Sequence, residues 1–290
     1  MSVADETSGR RRIWLCADDY GISASVNAAI RDLVVRGRLN ATSVMVAAPG
    51  FHRSEAISLN VLNSVAPRVA IGLHVTLTAP FRPSTTGFRP LSAGAFLPVG
   101  TLLRQAALHR LHPDALKAEI ASQIRTFTST FGRAPDFVDG HQHAHLFPQI
   151  AAAFLEVVKE MAPGAWVRQC GRVVAFAARF GDRKGLLLDG LSRGFQRRAA
   201  ALGLRTNPAF AGTYDFDDEA DFAAIFPRFL DRLPDGGVIM CHPGFVDAEL
   251  QRLDPLTTLR EKEHAYFAGD AFPALLASHN VALVSRFRSS

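Results

Sequence analysis

Residues 12–37 read RIWLCADDYGISASVNAAIRDLVVRG, and this stretch decides the fold. The run RIWLCA, 12–17, is short and mostly apolar, as a buried strand is. After Gly21, the residues Val26, Ile30, Leu33 and Val34 recur at helical spacing, and Gly37 supplies a stop. A strand feeding directly into a helix is the unit of a parallel sheet. Between the two elements stand Asp18 and Asp19, adjacent like charges at the strand's C-terminal end. A like-charged neighbour opposes ionisation, so the pair needs a cation, a proton or solvent to offset it.

The rhythm repeats outward from there. Strands are expected at TSVMVAA (42–48), RVAIGLHVTLT (68–78), DFVDG (136–140), AWVRQ (165–169), GGVIMCH (236–242) and VALVS (281–285). Helices are expected at 113–132, where Leu116, Ile120, Ile124 and Phe127 share a face, at 147–162 and at 217–233. The fold class is α/β, a mostly parallel sheet, open or closed into a barrel. One domain over 1–290 accounts for the whole chain. Its polar first residues, 1–11, read as flexible, and two stretches break the rhythm. Residues 79–100, rich in Pro, Gly, Ser and Thr, read as a long lid or binding loop. Residues 171–206, apolar and basic, read as a helical insertion that covers substrate or makes a homo-oligomer contact.

The composition excludes several classes. The chain has 290 residues, 48% of them hydrophobic, which is ample for one large core. The net charge of +5 is carried by dispersed basic groups, with no stripe interleaved with aromatics, so no nucleic acid is expected as a partner. No apolar stretch approaches the ~20 residues of a membrane span, and the N-terminus has no secretory pattern. Cys16, Cys170 and Cys241 show no paired spacing, which argues for a reducing compartment, the cytoplasm.

Four chemical features fall at the C-terminal ends of expected strands: Asp18-Asp19, His74, the cluster DGHQHAH (139–145) and His242. In parallel α/β folds these ends converge on one site. Aspartate and histidine together suit a borderline divalent ion that keeps an open position for hydrolysis. One aspartate would then bind the ion and the other would accept a proton, the cation keeping both ionised. In an extended stretch His141, His143 and His145 would share one side. Each feature alone has a bland reading: a solvated turn, a core histidine, a surface loop or a strand exit. Their joint placement favours a metal site.

The motifs ADDYGIS with VNAAI (17–30), TSVMV (42–46), IGLHVTLT (71–78), GRAPDFVDGHQHAHLFPQI (132–150) and MCHPGFVD (240–247) resemble the YdjC/ChbG-type carbohydrate deacetylase family. They cover most of the chain in the family's order. The resemblance implies a deformed (β/α) barrel related to polysaccharide deacetylases. It implies a divalent metal ion, magnesium or zinc, held by Asp19, His74 and His141. It makes Asp18 the general base, His242 the residue assisting proton transfer, and His143 and His145 substrate-lining groups. The implied reaction is removal of N-acetyl groups from a small acetylated sugar, an oligosaccharide or a sugar-lipid, since hopanoid-associated relatives share the motifs. The family usually carries Asn at the position of Cys16 and Phe at that of Tyr20. Other metal-dependent hydrolysis, of an ester or phosphoester, and non-catalytic sugar binding are the competing readings.

Overall fold

The chain is described by a computed structural model covering residues 9–66, 68–173 and 183–283, with backbone alone at 183 and 184. The strands are β1 (Arg11–Tyr20), β2 (Ala41–Val44), β3 (Ala70–Val75), β4 (Phe137–Gly140), β5 (Trp166–Val167), β6 (Phe210–Ala211), β7 (Val238–Cys241) and β8 (Val281–Leu283). They run parallel in the order β5-β4-β3-β2-β1-β7-β6, with β8 against the start of β1. Bridges at Val167–Thr206 and Arg172–Phe210 join the two ends of the sheet. The result is the expected deformed (β/α) barrel. β2, β3, β4 and β7 are buried along their whole length, which is why their sequences read as continuous runs without alternation.

Helices surround the barrel: α1 (Ala24–Val35), α2 (Arg53–Leu62), α3 (Val99–Ala107), α4 (Pro113–Phe131), α5 (Ile150–Met161), α6 (Arg183–Ala201), α7 (Phe222–Ile225), α8 (Pro227–Leu230), α9 (Ala248–Leu253), α10 (Thr258–Ala268) and α11 (Ala271–Ser278). α1 is capped by Ser23, whose hydroxyl accepts from Val26 N, and buries the four residues that its spacing predicts. The helix expected over 217–233 is instead two short ones, because Pro227 has no N–H to continue the first. Phe222, Phe226, Phe267 and Phe272 pack edge to face between α7, α8, α10 and α11. This aromatic cluster seats α10 against the barrel mouth.

Of the polar start, residues 1–8 lie outside the described residues, while Arg11 already belongs to β1 and pairs with Val281. The stretch 79–100 is anchored on α4. Buried Glu119 on α4 accepts from the backbone and hydroxyl of both Ser84 and Thr85. Phe88 and Phe96 pack 5.0 Å apart beneath it. In the insertion at 171–206, residues 174–182 lie outside the described residues, and α6 follows. Phe195 of α6 reaches His145 and Phe154, so this helix packs on the barrel.

His145 therefore belongs to the core. Its Nε2 donates to the Arg168 carbonyl at 2.8 Å, since a carbonyl only accepts, so Nε2 carries the proton. Burial pushes the imidazole down to about 3, with Arg168, His143 and His74 adding repulsion. A buried asparagine does similar stitching at the barrel's start. Asn40 accepts from Leu15 N at 2.7 Å and donates to Ile13 O at 2.8 Å, tying β1 to the entry of β2.

Two stability predictions result. Asn40→Ala leaves two buried backbone groups without partners and should cost about 2–4 kcal/mol. Denaturant midpoints at unchanged m measure it; a loss within error would show that β1 does not depend on this bridge. For His145, the unfolded chain titrates near 6.5 and the folded one at about 3. Between those values the unfolded chain binds a proton that the native state refuses. Stability must therefore fall with falling pH in this window, by about 1.4 kcal/mol per pH unit. His145→Gln keeps an amide donor for the Arg168 carbonyl and should flatten that slope when urea midpoints are compared at pH 6 and pH 4. An unchanged slope removes His145 as its source.

Candidate metal centre

β1 delivers two carboxylates to one cavity, each to a different arginine. Asp19 lies in the left-handed region at φ 67, which Asp tolerates better than most residues. The next turn is held by Gly21 at φ 103, where a side chain would stand 2.9 Å from the Met45 carbonyl. Asn27 of α1 fixes that turn, accepting from Gly21 N at 2.5 Å and donating to Gly50 O at 3.0 Å.

Each carboxylate meets its own arginine. Asp18 is gripped by both arms of Arg168, at 2.6 and 2.7 Å, and Ser43 adds a hydroxyl at 3.0 Å. Burial alone would raise Asp18, but the Arg168 guanidinium outweighs it and holds the carboxyl well below the usual range. Asp19 takes Arg260 on Oδ2 at 2.7 Å, while Oδ1 lies 3.0 Å from His141 Nδ1 and 3.4 Å from His74 Nε2. Its carboxyl too is held well below the usual range: against burial, His141 acts first and Arg260 next. The arginines, with His141 beside Asp19, thus supply the offset that the sequence left to a cation, a proton or solvent.

β3 and β4 set the histidine side. Their register pairs His74 with Asp139, and His74 Nδ1 contacts Asp139 Oδ1 at 2.6 Å. That bond fixes the ring and turns Nε2 toward Asp19, the arrangement by which a carboxylate orients a metal-binding imidazole. Asp139 Oδ2 lies 2.6 Å from Arg168 as an ion pair without hydrogen-bond alignment. The chain Asp18–Arg168–Asp139–His74 is therefore continuous, and all four are buried.

The donor set fits a divalent ion. One atom each from Asp19, His74 and His141 lies within 4.8 Å of the others. Four carboxylates (Asp18, Asp19, Asp139 and Asp254) share two guanidiniums (Arg168 and Arg260), an excess of two negative charges before any histidine takes a proton. His74 reflects this field: burial would lower it, yet Asp139 and Asp18 push it up to about 10.

The expected extended run at 141–145 is instead a tight 3-10 turn, with Gln142 and His143 in the left-handed region. The three histidines therefore diverge. His141 joins the cluster, its ring edge against Phe81. His143 borders the cavity and contacts Cys170 Sγ at 3.4 Å. Burial, with Arg168, pushes it down to about 3. His145 points beneath the site into the core and does not line the cavity. His242 follows β7, with its backbone N donating to Glu263 at 2.5 Å and its ring against Phe216. Burial lowers its imidazole and favours the neutral form. Burial also pushes Glu263 up to about 7.

These groups face a cavity of about 640 Å³. Asp18, Asp19, His74, His141, His143 and His242 all border it, and its outer wall is Phe216, Asp217, Asp218 and Leu256. No residue of 79–100 lines it, so that loop supports the cluster from behind through Phe81. A larger depression, about 950 Å³, opens at the opposite barrel end beside Trp14, Asp136 and Trp166. It holds none of the strand-end groups, so the candidate site is the smaller cavity.

Sequence reasoning passed over Arg168, Asp139, Arg260 and Glu263. Arg168 ends the run AWVRQ, and a charge at a strand's C-terminal end is the signal that flagged the others. Asp139 sat inside the quoted cluster. Arg260, in TLREKEH, looks like any charge on a solvated helix.

Comparison with known proteins follows the same lines. The chain is 29% identical over 241 residues to a chitooligosaccharide deacetylase of Serratia marcescens, covering 81% of this chain and 82% of that one. It is 28% identical over 252 residues to a protein of the same name from Citrobacter koseri, covering 82% and 83%. A crystal structure from Enterococcus faecalis V583, named as a candidate cellobiose-phosphate cleavage protein, superposes with a TM-score of 0.73 at 20% identity, covering 95% of this chain and 97% of that one. The Bc1960 peptidoglycan N-acetylglucosamine deacetylase superposes at 0.50 and 12% identity, over 95% and 86%. These two likenesses are of fold. With the YdjC-like family's sequence profile matching residues 12–278, the chain belongs to the YdjC-like protein family.

Proposed function

We propose that this chain is a metal-dependent hydrolase that removes the acetyl group from an N-acetylated amino sugar, with a small oligosaccharide as the substrate class. The observation that carries the reading is one buried cluster, Asp19, His74 and His141, opening onto a cavity between Asp18 and His242. The names of the deacetylase relatives support the substrate class. One carboxylate with two imidazoles favours zinc over magnesium, which prefers oxygen donors. The unpaired spacing of the three cysteines supports a cytoplasmic location.

In this reading Asp19, His74 and His141 hold the ion, which when bound polarises the acyl carbonyl and acidifies a water. The chain's own groups do the rest. Arg168 and Ser43 fix Asp18 as an ionised acceptor for the proton that water loses on attack. Asp139 holds His74 in one ring orientation. His242 rests neutral, so the proton it hands to the departing amine is one received during the reaction. Water adds its oxygen to the acyl carbon, the C–N bond breaks, and acetate and a free amino sugar leave. Phe216 presents an exposed ring at the cavity wall, suited to the apolar face of a sugar.

His141→Ala should lose stoichiometric metal while the fold persists. Equilibrium dialysis against zinc with wild type as reference decides it, and equal binding removes His141 from the ligands. Asp18→Asn should keep the metal and lower acetate release by ~10²–10⁴-fold, the usual worth of a general base. Near wild-type turnover on di-N-acetylchitobiose would falsify that assignment. Loss of metal in this variant would instead make Asp18 a ligand.

A further inference from the structure

Arg260 of α10 is 0% exposed. Its Nε donates to Leu256 O at 2.9 Å, and Nη2 donates to Asp19 Oδ2 at 2.7 Å and Asp254 Oδ2 at 3.0 Å. Nη1, on the same planar fork, is buried and has no acceptor among the described residues. The side chain borders the 640 Å³ cavity. A buried charged donor without an acceptor is costly, and a guanidinium cannot relieve the deficit by losing its proton. An acceptor oxygen delivered through the cavity relieves it.

We propose that Arg260 Nη1 donates to an oxygen of the acyl group, first the acetamide carbonyl and then the carboxylate of the acetate product. The proposal rests on the deacetylase reading. Nη1 shares a rigid fork with the nitrogen that holds Asp19, so it lies at the depth of the ligand cluster, where the reacting acyl group must sit. A cationic fork also prefers carboxylate or polarised carbonyl oxygen to a neutral hydroxyl. The sugar ring is left to the outer wall, where Phe216, Asp217 and Asp218 are exposed.

The test measures binding, without turnover, to zinc-loaded wild type and Arg260→Lys. Lysine keeps the charge beside Asp19 and Asp254 and loses the second arm. The probes are acetate, di-N-acetylchitobiose and the fully deacetylated chitobiose. The variant should bind zinc at the same stoichiometry, and acetate and the acetylated disaccharide about tenfold or more weakly, the scale of a charged hydrogen bond. Deacetylated chitobiose should bind within about twofold of wild type. Equal weakening for the deacetylated sugar would assign Nη1 to a hydroxyl and overturn the proposal. So would unchanged acetate binding, which leaves Nη1 to solvent, and so would lost zinc with acetate binding intact, which leaves Arg260 to Asp19 alone. If Arg260→Lys does not fold, ¹⁵N spectra of the wild-type guanidinium serve. Acetate should shift the Arg260 Nη signals, and signals that do not move overturn the proposal. Absence of acetate release from wild type bears on the deacetylase reading, whereas these binding results bear on Arg260.

Discussion

The division of Asp18 from Asp19 between two buried arginines is the constraint on which the rest depends. Two adjacent carboxylates in a barrel core would repel and resist ionisation. The left-handed turn at Asp19 sends them apart, one to Arg168 and one to Arg260. Taking each arginine out of water costs several kcal/mol, recovered only if the pairing is close and the remaining donors are satisfied. Arg168 pairs closely with Asp18 and Asp139 together and Arg260 with Asp19 and Asp254, while Arg168 Nε and Arg260 Nη1 are left without an acceptor among the described residues. The negative excess that remains pushes His74 up to about 10, and in the proposed reading a divalent ion would take the place of that proton. In that reading metal affinity would be a property of the whole cluster as well as of three donor atoms.

The arginines come from opposite sides of the fold, which couples the site to distant packing. Arg168 follows β5, where the barrel closes through the bridge from Val167 to Thr206. Its carbonyl is held by His145, itself wedged between Phe154 and Phe195. Arg260 rides on α10, pressed into place by the phenylalanines of α7, α8 and α11. Core changes near Phe195 or Phe267 should therefore move a carboxylate at the site without touching it.

The sequence made legible whatever follows from strand ends. Asp18, Asp19, His74, His141 and His242 each stand at the C-terminal end of a short apolar run, and barrel topology alone gathers such ends. The local helix signals of α1 and α4 were equally clear, because their caps and apolar faces are local. What escaped depends on three-dimensional pairing. No periodicity marks Arg260, since its helix is short and charged on every side until the barrel buries one of them. The divergence of His141, His143 and His145 escaped because it turns on two left-handed residues, Gln142 and His143, that no spacing rule anticipates. The loop 79–100 reads as a lid or binding loop from its composition, and composition does not show where it is anchored. Its anchor, Glu119, is a charge in the middle of an amphipathic helix, where a carboxylate reads as part of the solvated face.

The Arg168 fork poses a question of base strength. A carboxylate held this far below its ordinary range is always ionised, hence always available, but it is a weak acceptor. A good base at neutral pH lies closer to 7, as Glu263 does through burial. In the proposed role Asp18 therefore serves by position and permanence: it removes no proton far from the ion, and it need hold one only briefly. A neutral His242 across the cavity suits that division, because it can take up the proton that Asp18 holds poorly and carry it to the amine. The weak base and the low-lying histidine are then two halves of one transfer. Arg168 raises the first half's readiness at the expense of its strength, and the buried, neutral His242 supplies the strength that the pair still lacks.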